Sequence, residues 1–564
     1  MPVSKKEKNM ESKDWRRETV PQMLREIVSR FAERPALITD EEETVTFRAL
    51  HDQICNLALG FHCLGIRKGD HVATLLGTRP TYIVTSYALM TIGAVVVPIN
   101  FNFQAEEMAF LLDQSDSQYL IMEEQIGNLN YMERLRMIAP EIDRQESSNL
   151  KLKRLSQLKR IIVRSYSGRR YPGTLDFNDV MAQARGADFS LLERLCSEVS
   201  SEDLAFILYT SGTTAFPKGA MRTQGSSLGI AYYITAAPFR LNEKDLMLVF
   251  SPFFHIGGCI YNTLGSHLSG CPILLMKSFD PGQALGLIQK YRVTFLGGFE
   301  THFHRLLKHP RFSSTDVSSV TKVRLAAGPH WYDIVRQSGL GREIIAHHYG
   351  FTEGTGVVMP AQETDYEIRK NANGKPFPGV ELKIAHPETG QRQPVGTAGE
   401  ICLKGWTLFR GYYKMPQQTH EAMDEEGFFH TGDYGWLDEK GYLYYRGRYK
   451  QMVKTGGENV SQREIEILLE GHPDIQAVQV IGLPDEEWGE SVTAVVQTLS
   501  GRDLSLQQIK EFCHGSLAGF KIPKRVLNIK ESEWPVTRVG KIDKESLRQW
   551  AMQKTRICGS RSVV

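Results

Sequence analysis

The sequence predicts an α/β protein: a large N-terminal domain of mixed and parallel sheets with helices and a β subdomain, then a small, mobile α+β domain. The chain has 564 residues, which is too long for a single hydrophobic core. From Thr44 to about Met122, short apolar runs alternate with helical stretches, which is the pattern of βαβ units on a parallel sheet. The pattern resumes near residue 204 in runs such as "LAFILYTS" and "VTFLGG".

The first elements can be justified in order along the chain. Residues 1–20 are charged and lack the apolar run of a signal peptide, so we expect a mobile tail there. Residues 82–101 are apolar, but Gly93 and Pro98 interrupt them, which favours a helix, a glycine turn and a buried strand over a membrane span. The cation-rich segment 149–170 predicts a solvated connector with one strand, and contact with an anionic partner or a membrane surface stays open.

The C-terminal part of the chain changes character after Gly374. Glycine-punctuated strands such as "GVELKIA" and "AGEICLKG" predict a compact β subdomain that completes a large domain over residues 21–449. A charged turn then precedes an amphipathic helix that starts near Gln462. We therefore place the boundary and hinge near Lys450, with a small domain over residues 450–564.

Composition excludes several classes of protein. The 67 Lys and Arg residues nearly balance the 65 Asp and Glu residues, so no overall field favours nucleic acid as the main partner. The eight cysteines include no Cys-x-x-Cys pair, which disfavours a structural zinc site and a disulfide framework. A reducing, cytoplasmic location fits this usage.

One loop indicates phosphate binding. The stretch "ILYTSGTTAFPKGAMRTQ", residues 207–224, places hydroxyls, glycines and Lys218 directly behind an apolar strand. Free backbone N–H groups, hydroxyls and an ammonium are what a polyanion requires when it leaves water. Lys218 lies between Pro217 and Gly219, so the loop is not the Walker sequence.

Four motifs together resemble the adenylate-forming family, which contains acyl-CoA synthetases, peptide-synthetase adenylation domains and beetle luciferases. They are "YTSGTTAFPKG", "HHYGFTE" at 347–353, "HTGDYGWLDEKGYLYYRGRYKQMVKTGGENVSQREIE" and "PVTRVGKID" at 535–543. They occur in the family's order, and the resemblance covers nearly the whole chain, from about Pro21 to Leu547. It implies the acyl-CoA synthetase type of that family.

The resemblance implies roles for residues of the large domain. Glu353 would bind Mg²⁺, Thr352 an α-phosphate oxygen, and Asp433 with Arg448 the ribose. The small residues Ala327, Gly328 and Pro329, with Tyr349 and Gly350, would surround adenine. The residues expected to hold the β- and γ-phosphates are Thr210, Ser211, Gly212, Thr213, Thr214 and Lys218.

The small domain would supply the remaining groups. By resemblance, Lys541 neutralises the transferring phosphate during adenylation, and rotation about Lys450 then removes it and admits a thiol. Gly456 and Gly457, in "KTGGENVS", resemble a turn that CoA ligases use. His255 matches an aromatic or histidine position beside the acyl and pantetheine tunnels; packing in the core is the alternative.

Three residues depart from the family's pattern. Ala215 replaces a common glycine, which would weaken nucleotide binding if positive φ is required there. Gln224 replaces a frequent histidine and receives no role. Glu300 replaces a common proline; we favour a helix cap over selection of a polar or cationic substrate.

The resemblance implies an ATP- and Mg²⁺-dependent ligase that forms an acyl-adenylate and transfers the acyl group to coenzyme A. A medium- or long-chain fatty acid is the first expectation, and an aromatic, alicyclic or carnitine-like acid the second. A stand-alone enzyme that loads a carrier protein, and a catalytically silent nucleotide sensor, are the alternatives. Small molecules are the expected partners, no transmembrane segment is expected, and a dimer stays open.

Overall fold

The structure is a computed structural model that describes residues 13–183, 189–210, 217–448, 452–455, 458–485, 488–514, 516–517, 519–536 and 542–559. Its α-helices are Val20–Phe31, Phe47–Cys63, Pro80–Thr91, Ala105–Gln114, Tyr131–Ile138, Phe177–Gln183, Phe189–Ser197, Gln224–Ala231, Gly265–His267, Pro281–Tyr291, Glu300–Lys308, Pro329–Gln337, Tyr366–Asn371, Pro416–Glu421, Gln462–Glu470, Leu506–Cys513 and Lys544–Gly559. The π-helices are Tyr232–Ala236 and Gly257–Leu264. Short 3₁₀ helices are Trp15–Arg17, Ile142–Arg144, Phe312–Ser314, Gly519–Lys521 and Glu531–Glu533.

Two seven-stranded sheets form the large domain, and each is parallel except for one edge strand. Sheet 1 has the spatial order Ile344–Ala346, Lys322–Ala326, Phe295–Phe299, Met247–Val249, Ile273–Leu275, Pro35–Thr39, Thr44–Thr46. Sheet 2 has the order Lys218–Thr223, Leu204–Thr210, Val95–Pro98, His71–Leu75, Tyr119–Glu123, Arg160–Arg164, Leu175–Asp176. The predicted α/β class is confirmed, since parallel strands joined by helices bury both faces of each sheet.

Three smaller sheets complete the large domain. An antiparallel sheet of His348–Gly350, Thr355–Val358 and Lys375–Pro376 follows sheet 1. The β subdomain predicted after Gly374 is a four-stranded antiparallel sheet of Val380–Ala385, Gly399–Gly405, Phe429–Leu437 and Leu443–Arg448. Gln125–Ile126 pairs with Leu129–Asn130.

The C-terminal part has a sheet of its own. Its strands are Met452–Thr455, Glu458–Ser461, Ile475–Asp485, Gly489–Thr498 and Arg525–Asn528. The helix predicted near Gln462 is Gln462–Glu470, and Ser461 caps it by accepting a hydrogen bond from the backbone N–H of Glu464. The predicted division at Lys450 stays a prediction, and Lys450 lies outside the described residues.

The segment 82–101 contains the predicted helix, turn and strand. Pro80–Thr91 is a helix, Gly93 has φ of +74°, and Val95–Pro98 is a fully buried strand in sheet 2. Among the described helices, none has the length and apolar composition needed to cross a bilayer.

The N-terminal segment packs against the large domain earlier than expected. Trp15 is buried, and Arg16 lies over the ring of Trp406. The mobile tail expected for residues 1–20 therefore does not extend through Trp15, because an indole removed from water holds its backbone in place.

Candidate active site

Described residues of the first three motifs come together in the structure, through Tyr412 and through Asp433. Strand Leu204–Thr210 leads into the phosphate loop, and strand Lys218–Thr223 leads out of it, with Thr210 opposite Lys218. The loop residues Ser211, Gly212, Thr213, Thr214 and Ala215 lie outside the described part of the chain. The two strands therefore fix where the loop begins and ends.

Lys218 and Glu353 converge on one side chain. The Lys218 ammonium lies 5.0 Å from the centre of the Tyr412 ring, and the Tyr412 hydroxyl donates to Glu353 Oε1 at 2.8 Å. Backbone hydrogen bonds support this arrangement, since Tyr413 N–H donates to Gly219 O and Phe409 N–H donates to Glu353 O. Tyr412 thus joins the phosphate-loop lysine to the motif "HHYGFTE" at 347–353, which we call the second signature. The sequence around Tyr412 carries no motif that could have identified it.

Arg222 holds the second signature from behind. Its side chain is fully buried, its Nε donates to the carbonyl oxygen of Thr352 at 3.0 Å, and its Nη1 donates to that of Thr407. Burial lowers the pKa of Arg222 to about 10. The guanidinium fixes the main chain beside Glu353. Sequence analysis did not identify this role of Arg222, because both acceptor residues are distant from it in sequence.

A buried carboxylate marks the expected ribose position. Asp433 Oδ2 accepts from the Tyr349 hydroxyl at 2.8 Å, and Asp433 Oδ1 lies 3.3 Å from Arg448 Nε on the neighbouring strand. Burial raises the pKa of Asp433 to about 6, against the lowering effect of Arg448. The side chain is an acceptor for hydroxyl groups once it is ionised.

The turn that carries Asp433 is held by a second carboxylate. Glu400 Oε1 accepts from the backbone N–H of Gly432 at 2.9 Å, and Glu400 Oε2 pairs with His430 Nδ1 at 2.8 Å. Gly432 has φ of +69°, which an L side chain rarely adopts. Glu400 therefore positions Asp433 and was not identified from the sequence.

The predicted adenine segment lies where strand Lys322–Ala326 ends and helix Pro329–Gln337 begins. Gly328 is the N-cap of this helix and Pro329 its first residue. Space beside Gly328 is closed by the C-terminal part, because a Cβ there would lie 2.6 Å from Arg463 Nη2. Ala327, Gly328 and Pro329 are half-buried, as is Gly350, while Tyr349 is buried.

His255 is exposed, which excludes the core-packing alternative. Its Nδ1 accepts from the backbone N–H of Gly257 at 3.1 Å, and its ring meets Phe299 edge-on with centroids 6.3 Å apart. His255 and Phe299 thus lie together, close to the carboxyl end of strand Phe295–Phe299.

Glu300 does not cap a helix, so the favoured interpretation is wrong. Phe299 is the N-cap and Glu300 is the first helical residue. Its carboxylate instead lies 3.3 Å from Arg463 Nη2. Gln224, given no role, is fully buried and bridges Val20 N–H and Met90 O, both at 2.9 Å.

Comparison with known proteins agrees with this arrangement of site residues. The profile described as AMP-binding enzyme matches residues 24–413, and the profile described as AMP-binding enzyme C-terminal domain matches residues 464–541.

The chain belongs to the AMP-binding enzyme family.

Within this adenylate-forming family, the chain is an AMP-forming acid–CoA ligase of the acyl-CoA synthetase type. YngI of Bacillus subtilis (strain 168), whose own assignment as an acyl-CoA synthetase is provisional, is 32% identical over 96% of this chain and 98% of YngI. The mitochondrial medium-chain acyl-CoA ligase ACSF2 of Bos taurus is 30% identical over 94% of this chain and 87% of its own length. ATP-bound MatB from Rhodopseudomonas palustris superposes with a TM-score of 0.80 at 26% identity, over 94% of this chain and 99% of MatB.

Several predicted site residues are not described. They are Ser211, Gly212, Thr213, Thr214, Lys450, Gly456, Gly457 and Lys541. Their roles stay predictions. The described residues that the structure brings together are Lys218 with Glu353, and Tyr349 with Asp433 and Arg448.

Proposed function

We propose that the chain activates a carboxylic acid of medium length with ATP and transfers the acyl group to coenzyme A. In the first half-reaction, a carboxylate oxygen attacks the α-phosphorus, and the bond to the bridging oxygen breaks, so that pyrophosphate leaves. In the second, the CoA thiol loses its proton and attacks the acyl carbon, and AMP leaves. The convergence of Lys218 and Glu353 on Tyr412 is the observation that carries this proposal.

The residues have separate tasks in the first half-reaction. Lys218, with the phosphate loop, binds the β- and γ-phosphates, and Thr352 binds an α-phosphate oxygen. Asp433 and Arg448 hold the ribose, and Ala327, Gly328 and Pro329 admit the adenine ring. Negative charge grows on the phosphate oxygens, so donors fixed in advance lower the barrier. Lys541 would add a further cation during this step.

A magnesium ion suits the carboxylate of Glu353. The group is half-buried, and the Tyr412 hydroxyl orients its Oε1, which leaves Oε2 as a hard oxygen ligand. Mg²⁺, when bound, neutralises phosphate charge. Glu353 and the phosphates themselves would hold it.

The name of the bovine relative, a medium-chain ligase, supports a medium-length acid. His255 and Phe299 are the side chains we place beside the acyl and pantetheine path. Coenzyme A is the proposed acceptor because the relatives carry the names of acyl-CoA synthetases and ligases.

Thioester formation tests the proposal. The protein is incubated with ATP, Mg²⁺, CoA and single acids, and AMP, pyrophosphate and thioester are quantified for wild type, Lys218→Ala and Lys541→Ala. We expect equal amounts of AMP and thioester with wild type, and a loss of at least about 100-fold in each variant. Formation of ADP, or of no product with any acid, contradicts the proposal. Pyrophosphate without thioester identifies a carrier protein as the acceptor.

A further inference from the structure

Strand Lys322–Ala326 carries two buried cations that differ in whether a carboxylate pairs with them. Lys322 Nζ lies 2.7 and 2.8 Å from the two carboxylate oxygens of Asp245, so its charge is neutralised inside the protein. Arg324, two residues further on, is only 5% exposed. Within the described residues, no carboxylate forms an ion pair with it.

The neighbours of Arg324 are neutral. Its Nη1 donates to Thr235 Oγ1 at 2.6 Å, and its Nη2 donates to Asn262 Oδ1. Its guanidinium lies 5.4 Å from the centre of the Tyr261 ring. Burial lowers the pKa of Arg324 to about 10, because these contacts replace water without supplying a counter-charge. A buried cation without an anion destabilises a fold, so its retention needs a reason.

The geometry connects Arg324 with the reaction site. Two residues beyond it, roughly 7 Å along the strand, Ala326 leads into the adenine segment. The Tyr261 hydroxyl is hydrogen-bonded to Thr355 Oγ1 at 2.6 Å, and Thr355 follows the second signature. Arg324 is therefore connected to the adenine segment along its own strand, and to the second signature through Tyr261 and Thr355.

A glycine on the neighbouring strand accommodates the guanidinium. Gly297 lies opposite Arg324 on the neighbouring strand, and a Cβ there would come within 3.0 Å of Arg324 Nη2. His348, whose ring meets Tyr261, keeps part of its surface accessible although burial and Arg324 lower its pKa to about 3. Among the described residues, its Nδ1 has no hydrogen-bond partner. The side chains that hold Arg324, Thr235 and Asn262, lie on π-helices, which recur at functional sites.

We propose that the acid activated by this enzyme carries a second carboxylate at its far end and that Arg324 binds this carboxylate. The inference rests on the proposed function and narrows its substrate class to medium-length dicarboxylic acids. Lys322 is paired with Asp245, whereas Arg324 has no carboxylate partner among the described residues. The ω-carboxylate of the substrate supplies that missing negative charge. A guanidinium matches a carboxylate with two parallel hydrogen bonds.

Matched pairs of acids test the specificity. Suberate is compared with octanoate, and adipate with hexanoate, in thioester formation by wild type, Arg324→Met, Arg324→Lys and the control Lys322→Met. We expect wild type to favour the diacids by about 10- to 100-fold in kcat/KM, mainly through KM. Arg324→Met abolishes or reverses this preference, Arg324→Lys keeps part of it, and Lys322→Met leaves the ratio unchanged. Equal use of both acids by wild type, or an unchanged ratio in Arg324→Met, overturns the inference.

Melting temperatures provide a second readout that needs no turnover. Suberate with a non-hydrolysable ATP analogue should raise the melting temperature of wild type but not of Arg324→Met. Without ligand, Arg324→Met should melt at or above the wild-type temperature, whereas Lys322→Met should melt lower because it leaves Asp245 unpaired. If Arg324→Met melts lower or fails to fold, Arg324 is structural and the inference is wrong. Absence of thioester with every acid counts against the proposed function alone, since the melting temperatures still decide the role of Arg324.

Discussion

At the scale of single residues, the site depends on buried charges whose partners are few. Asp433 is buried and its pKa is about 6, so it is ionised near neutral pH and becomes protonated in mildly acidic solution. A protonated carboxyl loses acceptor capacity for hydroxyl groups. Its ionisation is therefore part of nucleotide binding as we propose it.

We predict that the KM for ATP rises as the pH falls below about 6, approaching tenfold per pH unit. Asp433→Asn should have a raised KM at every pH and should lack this acidic component. Steady-state kinetics between pH 5 and pH 8 measures both. Because ATP itself titrates equally in both proteins, a parallel rise in Asp433→Asn would assign the effect to the nucleotide and contradict the role of Asp433.

A second prediction concerns Arg222. Replacing it with Met leaves the carbonyl oxygens of Thr352 and Thr407 without their donor and loosens the main chain beside Glu353. We expect kcat/KM to fall about 10- to 100-fold, equivalent to about 1.4–2.7 kcal/mol. Arg222→Lys keeps the charge but has only one donor nitrogen. Its kcat/KM should lie between those of wild type and Arg222→Met. A full-rate Arg222→Met enzyme would refute the positioning role.

At the scale of elements, the phosphate-loop strands and the second signature are joined through the segment that carries Tyr412. This segment pairs with strand Lys218–Thr223 through backbone hydrogen bonds, including Met221 N–H to Gly411 O at 3.1 Å. Its tyrosine then contacts both Lys218 and Glu353. Three separate stretches of chain are therefore held together by these contacts.

Tyr412 separates the two contacts experimentally. Tyr412→Phe keeps the ring beside Lys218 but removes the hydroxyl on Glu353, so we expect a several-fold higher Mg²⁺ requirement with an unchanged KM for ATP. Tyr412→Leu also removes the cation–π contact, worth about 0.5–1 kcal/mol, and should raise the KM for ATP two- to fivefold. Titrations of Mg²⁺ and ATP on the three proteins distinguish these effects. Identical behaviour of the two variants would show that the ring contact with Lys218 is irrelevant, and an unchanged Mg²⁺ requirement in Tyr412→Phe would show that the hydroxyl is.

The sequence predicted the fold class and the motif residues, because short apolar runs and glycine-rich loops are local patterns. It did not predict the contacts of Arg222, because a charged residue in a strand gives no sign of acceptors that lie far along the chain. Gln224 is a similar case, since its two backbone partners come from separate helices. Glu300 was misassigned because its position before a helix suggested a local cap, whereas its partner belongs to the C-terminal part.

At the scale of the whole molecule, one charge cluster joins the large domain to the C-terminal part. Arg463 lies 2.7 Å from Glu470 and 3.3 Å from Glu300, and His330 lies 3.0 Å from Glu470. Burial raises the pKa of Glu300, and the charge of Glu470 adds to this. Glu300 and His330 belong to the large domain, so the cluster fixes how the helix Gln462–Glu470 sits against it.

We predict that Glu300→Gln weakens the contact between the large domain and the helix Gln462–Glu470. Arg463 keeps its ion pair with Glu470 but loses the one with Glu300, its partner in the large domain. Limited proteolysis between the large domain and the helix Gln462–Glu470 should accelerate several-fold. Wild type should approach the variant as the pH falls, since protonation of Glu300 removes the same charge at a higher pH than for an ordinary glutamate. The control Glu464→Gln loses a pair with Lys521 within the C-terminal part and should not change cleavage. Equal cleavage of wild type and Glu300→Gln would exclude the link.

The order of strands in sheet 1 has a consequence for synthesis of the protein. Strand Pro35–Thr39 pairs with Ile273–Leu275, about 240 residues later in the chain. A ribosome adding about 5–20 residues per second needs on the order of 10–50 s to deliver that partner. During this interval the nascent N-terminal hairpin has an unpaired edge, while all described strands of sheet 2 are made before residue 224. Synthesis of sheet 1 thus begins before that of sheet 2 but ends after it. A chain stalled in this interval exposes the unpaired strand edge and would be a natural client for chaperones.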